Sequence, residues 1–263
     1  MNEDELCQWF IEEEAKPNGW VCYPETSDWD ILLVRNGIQI GIQAKVRANL
    51  KLIQQVLPSA LPYRTGNMMS SPEKFRGKLK GPDYRTILVP EEGIGKKTFG
   101  VLSDVCRVCG IWMFSKGKPR RWGGETNHWG GALLEDPEQL EEYDWHPPEK
   151  EWIPDVVPDL PAGVPSPVQL TRWKQQALRL IARAEVNGYV TSKDAKELDV
   201  NFQRFKESWK PWMEFTGKDG RIHKYSLCGD DPKRPDRQCP EAYKHFVEEV
   251  KKIQDDLKSK RSC

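Results

Sequence analysis

Histidine is scarce in this chain, with 4 among 263 residues, and long apolar runs are missing. No stretch reaches the roughly 18 apolar residues of a membrane span. The N-terminus is acidic and amphipathic and lacks the apolar segment of a signal peptide. Cysteine is no framework either: the 7 residues are an odd number at irregular spacings. A reducing, cytoplasmic setting is therefore expected. Cys106-Arg107-Val108-Cys109 has no second CxxC to complete the four ligands of a structural zinc site. His223, Cys228, Cys239 and His245 are spaced too loosely to suggest one. Gly93-Ile94-Gly95-Lys96-Lys97 lacks the GxxxxGK[ST] spacing of a phosphate loop and reads as a basic surface turn. No internal repeat is visible.

What is present is 38% hydrophobic and 30% charged residues, enough for an ordinary core, and 11 Trp. The formal net charge is zero but unevenly spread. Residues 1–30 carry nine acids against one Lys, and residues 131–165 ten acids against one Lys. Residues 31–130 carry 17 basic residues against six acids, and residues 166–263 carry 21 against 15. Two basic regions suit a polyanionic partner, or pair with the acidic ones.

The most informative segment runs from Ser27 to Val46. Asn36-Gly37 is a strong two-residue hairpin signal, because a type I′ turn needs φ > 0 at both central positions. The turn sets Arg35 opposite Ile38, Asp30 opposite Gln43 and Asp28 opposite Lys45. Alternation then assigns Trp29, Ile31, Leu33, Ile40, Ile42, Ala44 and Val46 to one apolar face. Asp28, Asp30, Leu32, Val34, Gln39, Gly41, Gln43 and Lys45 fall on the other. Opposed side chains lie roughly 5–6 Å apart, a distance at which acids share a cation. An ordinary cross-strand salt bridge between Asp28 and Lys45 fits the same spacing.

Around this hairpin, residues 3–15 read as a helix, 20–23 as a strand, 48–57 as a helix and 86–89 as a strand. Residues 98–108 and 110–114 read as a helix and a strand. Residues 146–167 contain seven Pro and read as a linker. Beyond it, helices from Thr171, from Thr191 or Ser192 and from Phe202 precede a hairpin around residues 216–220, and a final amphipathic helix carries Tyr243, Phe246, Val250 and Leu257. The expectation is an α/β protein with a domain over 1–145 and a smaller α+β domain over 168–263. Three short helices plus a β-ribbon is winged-helix order. Arg204, Lys206 and Lys210 on or beside its third helix, with Lys218, Arg221 and Lys224 on the ribbon, suit nucleic-acid contacts. Docking of a protein suits the same order. Arg120-Arg121-Trp122, His128 and Trp129 could stack on bases.

Asp30 at a strand start, and Gln43-Ala44-Lys45 on the next strand, resemble the PD-(D/E)XK (restriction-endonuclease-like) nuclease superfamily. The αβββαβ order of the first 115 residues is similar to its core. The resemblance implies hydrolysis of phosphodiesters, DNA foremost, with Mg²⁺ or Mn²⁺ held by Asp30, the Gln43 amide oxygen and the Ala44 carbonyl. It implies a Lys45 that orients water or stabilises charge, with Asp28 as a second acid. A helix-1 glutamate is expected near the metal, with Glu5 the first candidate and Glu14 the alternative. Arg47, just past this strand, would touch nucleic acid. Gln43 departs from the commoner Glu or Asp and brings no charge. A homodimer would fit cutting of both strands. A non-catalytic adaptor and a DNA-binding regulator are the rival readings.

Overall fold

The computed structural model describes residues 1–47, 50–57, 80–90, 96–116, 131–140, 145, 147–162, 169–206 and 211–261. The chain is mixed α/β and divides into two compact units. One is Met1–Ile153 with Leu160–Ser166, and the other is Pro154–Asp159 with Pro167–Cys263.

In the first unit the order is α1 (Glu3–Phe10), β1 (Val21–Thr26), β2 (Trp29–Arg35), β3 (Ile38–Ala44), α2 (Leu50–Val56), β4 (Tyr84–Pro90), α3 (Lys96–Cys109), β5 (Trp112–Lys116) and α4 (Gly131–Glu135). The strands form one sheet in sequence order, antiparallel from β1 to β3 and parallel from β3 to β5. The β2–β3 register runs from Arg35↔Ile38 to Ile31↔Ile42, as the Asn36-Gly37 turn predicts. Both turn residues have positive φ, 50° and 78°.

Both faces of the sheet are buried. Ile31, Leu33, Ile40, Ile42 and Ala44 pack with Leu6, Cys7 and Phe10 of α1. Leu32, Ile87, Val89 and Met113 pack with Leu52, Ile53 and Val56 of α2 and with Leu102 and Cys106 of α3. The crossover helices of the parallel half, α2 and α3, cover one face, and the N-terminal α1 covers the other.

Trp29 corrects the alternation expected from sequence, because it belongs to the second core, not to the α1 core. The cause is a second tight turn. Ser27 and Asp28 have φ of 54° and 66°, and Glu25 has φ of 47°. The β1–β2 ladder pairs Thr26 with Trp29 and Pro24 with Ile31 but skips Glu25 and Asp30. The irregularity turns Trp29 across the sheet onto Gly41, where a Cβ would lie 2.4 Å from the indole. Only glycine fits there.

Residues 147–153 are not a free tether. The Gln39 side-chain amide donates to the Glu151 carbonyl and accepts the Glu151 N–H, both at 2.9 Å, so a side chain extends the sheet's hydrogen bonding. Ser27 Oγ donates to the Trp152 carbonyl at 2.9 Å, and Lys150 pairs with Asp83 at 2.8 Å. The first unit thus takes in residues 147–153 from the stretch expected as a linker, and that stretch is divided between the two units.

The second unit contains α5 (Arg172–Asn187), α6 (Ser192–Glu197), α7 (Gln203–Lys206), the antiparallel pair β6 (Met213–Asp219) and β7 (Ile222–Leu227), α8 (Pro235–Gln238) and α9 (Pro240–Arg261). Thr171 and Thr191 cap α5 and α6 with their side chains, as their sequence positions predict. One core gathers Ala177, Leu180 and Ile181 of α5 with Phe205 and Met213. Another sets Leu178 and Ala182 against Phe246, Val247 and Val250 of α9. Val190 forms an isolated bridge to Tyr225, adding a third short segment to the ribbon. Among the described residues no helix is long and apolar enough to cross a membrane.

Candidate functional site at the carboxyl end of β3

Asp30 sits where β2 leaves the β3 ladder. Its Oδ2 accepts the Ala44 N–H at 2.7 Å, taking the place of a strand carbonyl. Among the described residues no hydrogen bond reaches Oδ1. Burial pushes the carboxyl pKa up, the Ala44 N–H and the Lys45 ammonium pull it down, and Glu3 raises it. The net direction is upward, so this carboxylate is short of solvation and of compensating charge.

Lys45 follows the last residue of β3, and its N–H continues the parallel ladder to the Leu88 carbonyl at 3.0 Å. Its Nζ lies 2.7 Å from Glu3 Oε2 in the first turn of α1. Burial works against the ammonium, but the hydrogen bond to Glu3 and the charges of Asp30 and Glu3 outweigh it and raise the pKa. Lys45 is therefore a cation at neutral pH and holds its proton. Both partners are partly exposed, 23% and 31%, and such a pair contributes about 1 kcal/mol or less to folding.

Asp30, Lys45 and Glu3 thus converge on the α1 side of the sheet edge. Glu5, the expected helix-1 acid, is elsewhere. Its carboxylate accepts the Asn2 N–H at 3.0 Å, while Asn2 Oδ1 accepts the Glu5 N–H at 2.7 Å. This is a capping box, and it turns Glu5 outward. Asn2-x-x-Glu5 is a readable signal for that box, and it leaves Glu3 as the acid available to the site. Glu14 shares no contact with the cluster: burial raises its pKa and its charged neighbour is Glu13.

Gln43 and Asp28 lie apart from this cluster. Ile42 and Ala44 point into the α1 core, so alternation sends Gln43 to the opposite face. There its Nε2 donates to the Asp28 carbonyl at 2.6 Å. Asp28 is a turn residue, and its charge acts on Glu151, not on Lys45. The four groups expected together are therefore split across the sheet. On the opposite face Trp29, Glu151 and Arg85 form a set that sequence reasoning missed. Trp29 Nε1 donates to Glu151 Oε1 at 3.4 Å. The Arg85 guanidinium is only 5% exposed and lies 5.5 Å from the Trp29 ring and 5.3 Å from the Trp145 ring. It donates to the Val56 carbonyl at 2.7 Å, and burial pushes its pKa down to about 10.

The α1-side cluster brings two carboxylates together beside an ammonium. It offers a desolvated carboxylate with one oxygen unbonded among the described residues, and a second carboxylate beside it. Mg²⁺ is commonly held by one or two carboxylates together with water and substrate oxygens. Among the described residues no three His, Cys, Asp or Glu side chains converge on one metal position. The donor set is thus two acids, and the Gln43 amide does not extend it.

Of the expected nucleic-acid contacts, Arg47 is exposed just past Lys45. In the second unit Arg204 lies 5.5 Å from the Trp173 ring, and Lys206 lies 5.0 and 5.1 Å from the Phe202 and Tyr225 rings. Lys218 and Arg221 are exposed on the ribbon. Lys224 pairs with Asp219 at 3.2 Å and lies 4.5 Å from the Tyr189 ring. Lys210, Gly93-Ile94-Gly95, and the Arg120–Trp129 stretch with His128 fall outside the described residues. Cys106 is buried, with its thiol pKa pushed up to about 12 by burial, and Cys109 is half-buried. No family model matches the chain, and neither a curated protein nor a solved structure does.

Proposed function

We propose that the chain is a divalent-cation-dependent nuclease, acting on DNA foremost, with a PD-(D/E)XK-like core in its first unit. The observation that carries this reading is the convergence of Asp30, Glu3 and Lys45 where β2 parts from β3. The αβββαβ order and the parallel β3–β4 pair support it.

A Mg²⁺ or Mn²⁺ ion bound there would neutralise charge on the scissile phosphate and acidify a water. Asp30 Oδ1 and the Glu3 carboxylate are the oxygens that would hold it. Lys45 keeps its proton, so it acts as a cation that steadies developing phosphate charge or aims the water, not as the base. Its bond to Glu3 keeps the ammonium at the sheet edge. Gln43 braces the Asp28 turn from the far face and so fixes the strand end that carries Asp30.

The second unit is read as a winged-helix-like module that holds nucleic acid. Its helix–helix–helix–ribbon order and the Val190–Tyr225 bridge support this, as do Arg204, Lys206, Lys218, Arg221 and Lys224. One observation favours a non-catalytic adaptor or regulator instead: Gln43, which would be a ligand, is turned away and hydrogen-bonded to backbone.

The test is cleavage in Mn²⁺ of single-stranded, duplex and branched DNA, with Lys45→Ala as control. Cutting that disappears in the folded variant supports the nuclease. Tight binding in chelator with no cutting by the wild-type chain supports the adaptor.

A further inference from the structure

The β6–β7 ribbon has two chemically different faces. Register places Met213 opposite Leu227, Phe215 opposite Tyr225 and Lys218 opposite His223 on one of them. Phe215 and Lys218 share that face because a bulge at Thr216 shifts the register between them. Met213 is buried at the base, whereas Phe215 is 52% exposed and His223 is exposed. The rings make a continuous chain. His223 lies 5.5 Å from Phe215, Phe215 lies 5.9 Å from Tyr225, and Tyr225 lies 5.0 Å from Phe202. Lys206 stands over the Phe202 and Tyr225 rings at 5.0 and 5.1 Å, and Lys218 stands at the tip beside His223. The ribbon's acids, Glu214 and Asp219, pair with Ser226 and Ile222 on the opposite face.

We propose that this face binds single-stranded nucleic acid, with unpaired bases stacked on Phe215 and His223 and phosphates held by Lys206 and Lys218. An exposed phenylalanine beside cations, with no carboxylate on the same face among the described residues, offers a π-surface and positive charge together. Unpaired nucleotides present flat rings on a polyanionic backbone, whereas a duplex hides its bases inside the stack. The assignment rests on the nucleic-acid reading of the second unit and adds the form of the ligand and two residues, Phe215 and His223.

The test is fluorescence anisotropy of the full chain, in chelator so that no cutting intervenes, with a labelled oligothymidylate and a labelled duplex. The wild-type chain binds oligothymidylate more tightly than duplex. Phe215→Ala weakens oligothymidylate binding about tenfold and leaves duplex binding nearly unchanged. Lys218→Ala weakens both and lowers the salt slope for the single strand by about 0.7. Ile222→Ala, on the opposite face, changes neither, and circular dichroism checks that each variant folds. Equal loss from Phe215→Ala and Ile222→Ala overturns the stacking face, as does preference for duplex, which leaves the nucleic-acid reading intact. Absence of binding to either, or equal binding to polyglutamate, overturns both.

Discussion

The two faces of the first unit's sheet treat polar groups differently. On the α2–α3 side, Gln39, Gln43, Trp29 and Glu151 direct their hydrogen bonds to one another and to backbone. On the α1 side, Asp30 stays desolvated with one oxygen unbonded among the described residues, and Lys45 and Glu3 are partly exposed. The α2–α3 set is not fully satisfied, since burial raises the Glu151 pKa too and Arg85 Nε has no partner among the described residues. But Gln39, Gln43, Trp29 and Arg85 are buried, whereas Asp30, Glu3 and Lys45 are partly exposed and open to something that binds. The contrast teaches that sharing a sheet edge does not make residues members of one site. The face decides.

The strongest break of this comparison is Asp30→Asn. The amide oxygen can still accept the Ala44 N–H, so the strand end survives, while Mn²⁺-dependent cleavage falls by about 10²–10³ or more. The pH dependence has opposite signs for activity and stability. Asp30 has a raised folded pKa, so the native state takes up its proton before the unfolded state does. Its desolvation cost is fully present above the folded pKa and is relieved as pH falls through that value towards the ordinary carboxylate range. Cleavage should drop over the same window, and unfolding titrations of Asp30→Asn should lack that contribution. A variant that cuts like wild type sinks the site.

Arg85→Ala tests the α2–α3 face. It removes a buried guanidinium, empties the space between Trp29 and Trp145 and leaves the Val56 carbonyl unpaired, at a cost of about 3 kcal/mol in urea unfolding. Gln43→Glu sharpens the division of labour further. A carboxylate cannot donate to the Asp28 carbonyl, so the substitution destabilises by about 1–3 kcal/mol and leaves Mn²⁺ affinity unimproved. If Glu at this position tightens Mn²⁺ binding, Gln43 belongs to the metal side after all. The smallest effect is expected from Glu5→Ala, which loosens the capping box by roughly 0.5–1 kcal/mol and leaves cleavage intact. Glu3→Gln should reduce cleavage without that loss of the cap.

Much of the first unit is legible because local chemistry decides it. Asn36-Gly37 admits only a turn with positive φ, and that turn fixes every β2–β3 pair up to Ile31↔Ile42. Beyond Ile31 a second turn takes over. Ser27-Asp28 closes the β1–β2 hairpin, and its irregularity at Glu25 and Asp30 reverses which way Trp29 points. Alternation counted from one hairpin cannot register a defect imposed by the next. Gln43 could be placed on a strand but not partnered, because its partner is the backbone of that second turn. Arg85 and Glu151 were invisible as a set, since tertiary packing alone joins residues so distant in sequence. Glu3 and Glu5 differ only by helix-end chemistry, which Asn2 already announces.

The Pro-rich stretch crosses between the units more than once. Glu151 and Ile153 belong with the first unit, Asp155 and Val156 with the second, and Ala162 with the first again. Asp155 holds Arg179 at 2.6 Å and both accepts from and donates to the Gln175 amide. No single peptide bond therefore severs the molecule into two intact halves. A fragment ending at Ile153 forfeits Ala162, and one beginning near residue 168 forfeits the clasp on Gln175 and Arg179. Dissecting the protein therefore calls for overlapping fragments that both include residues 154–162.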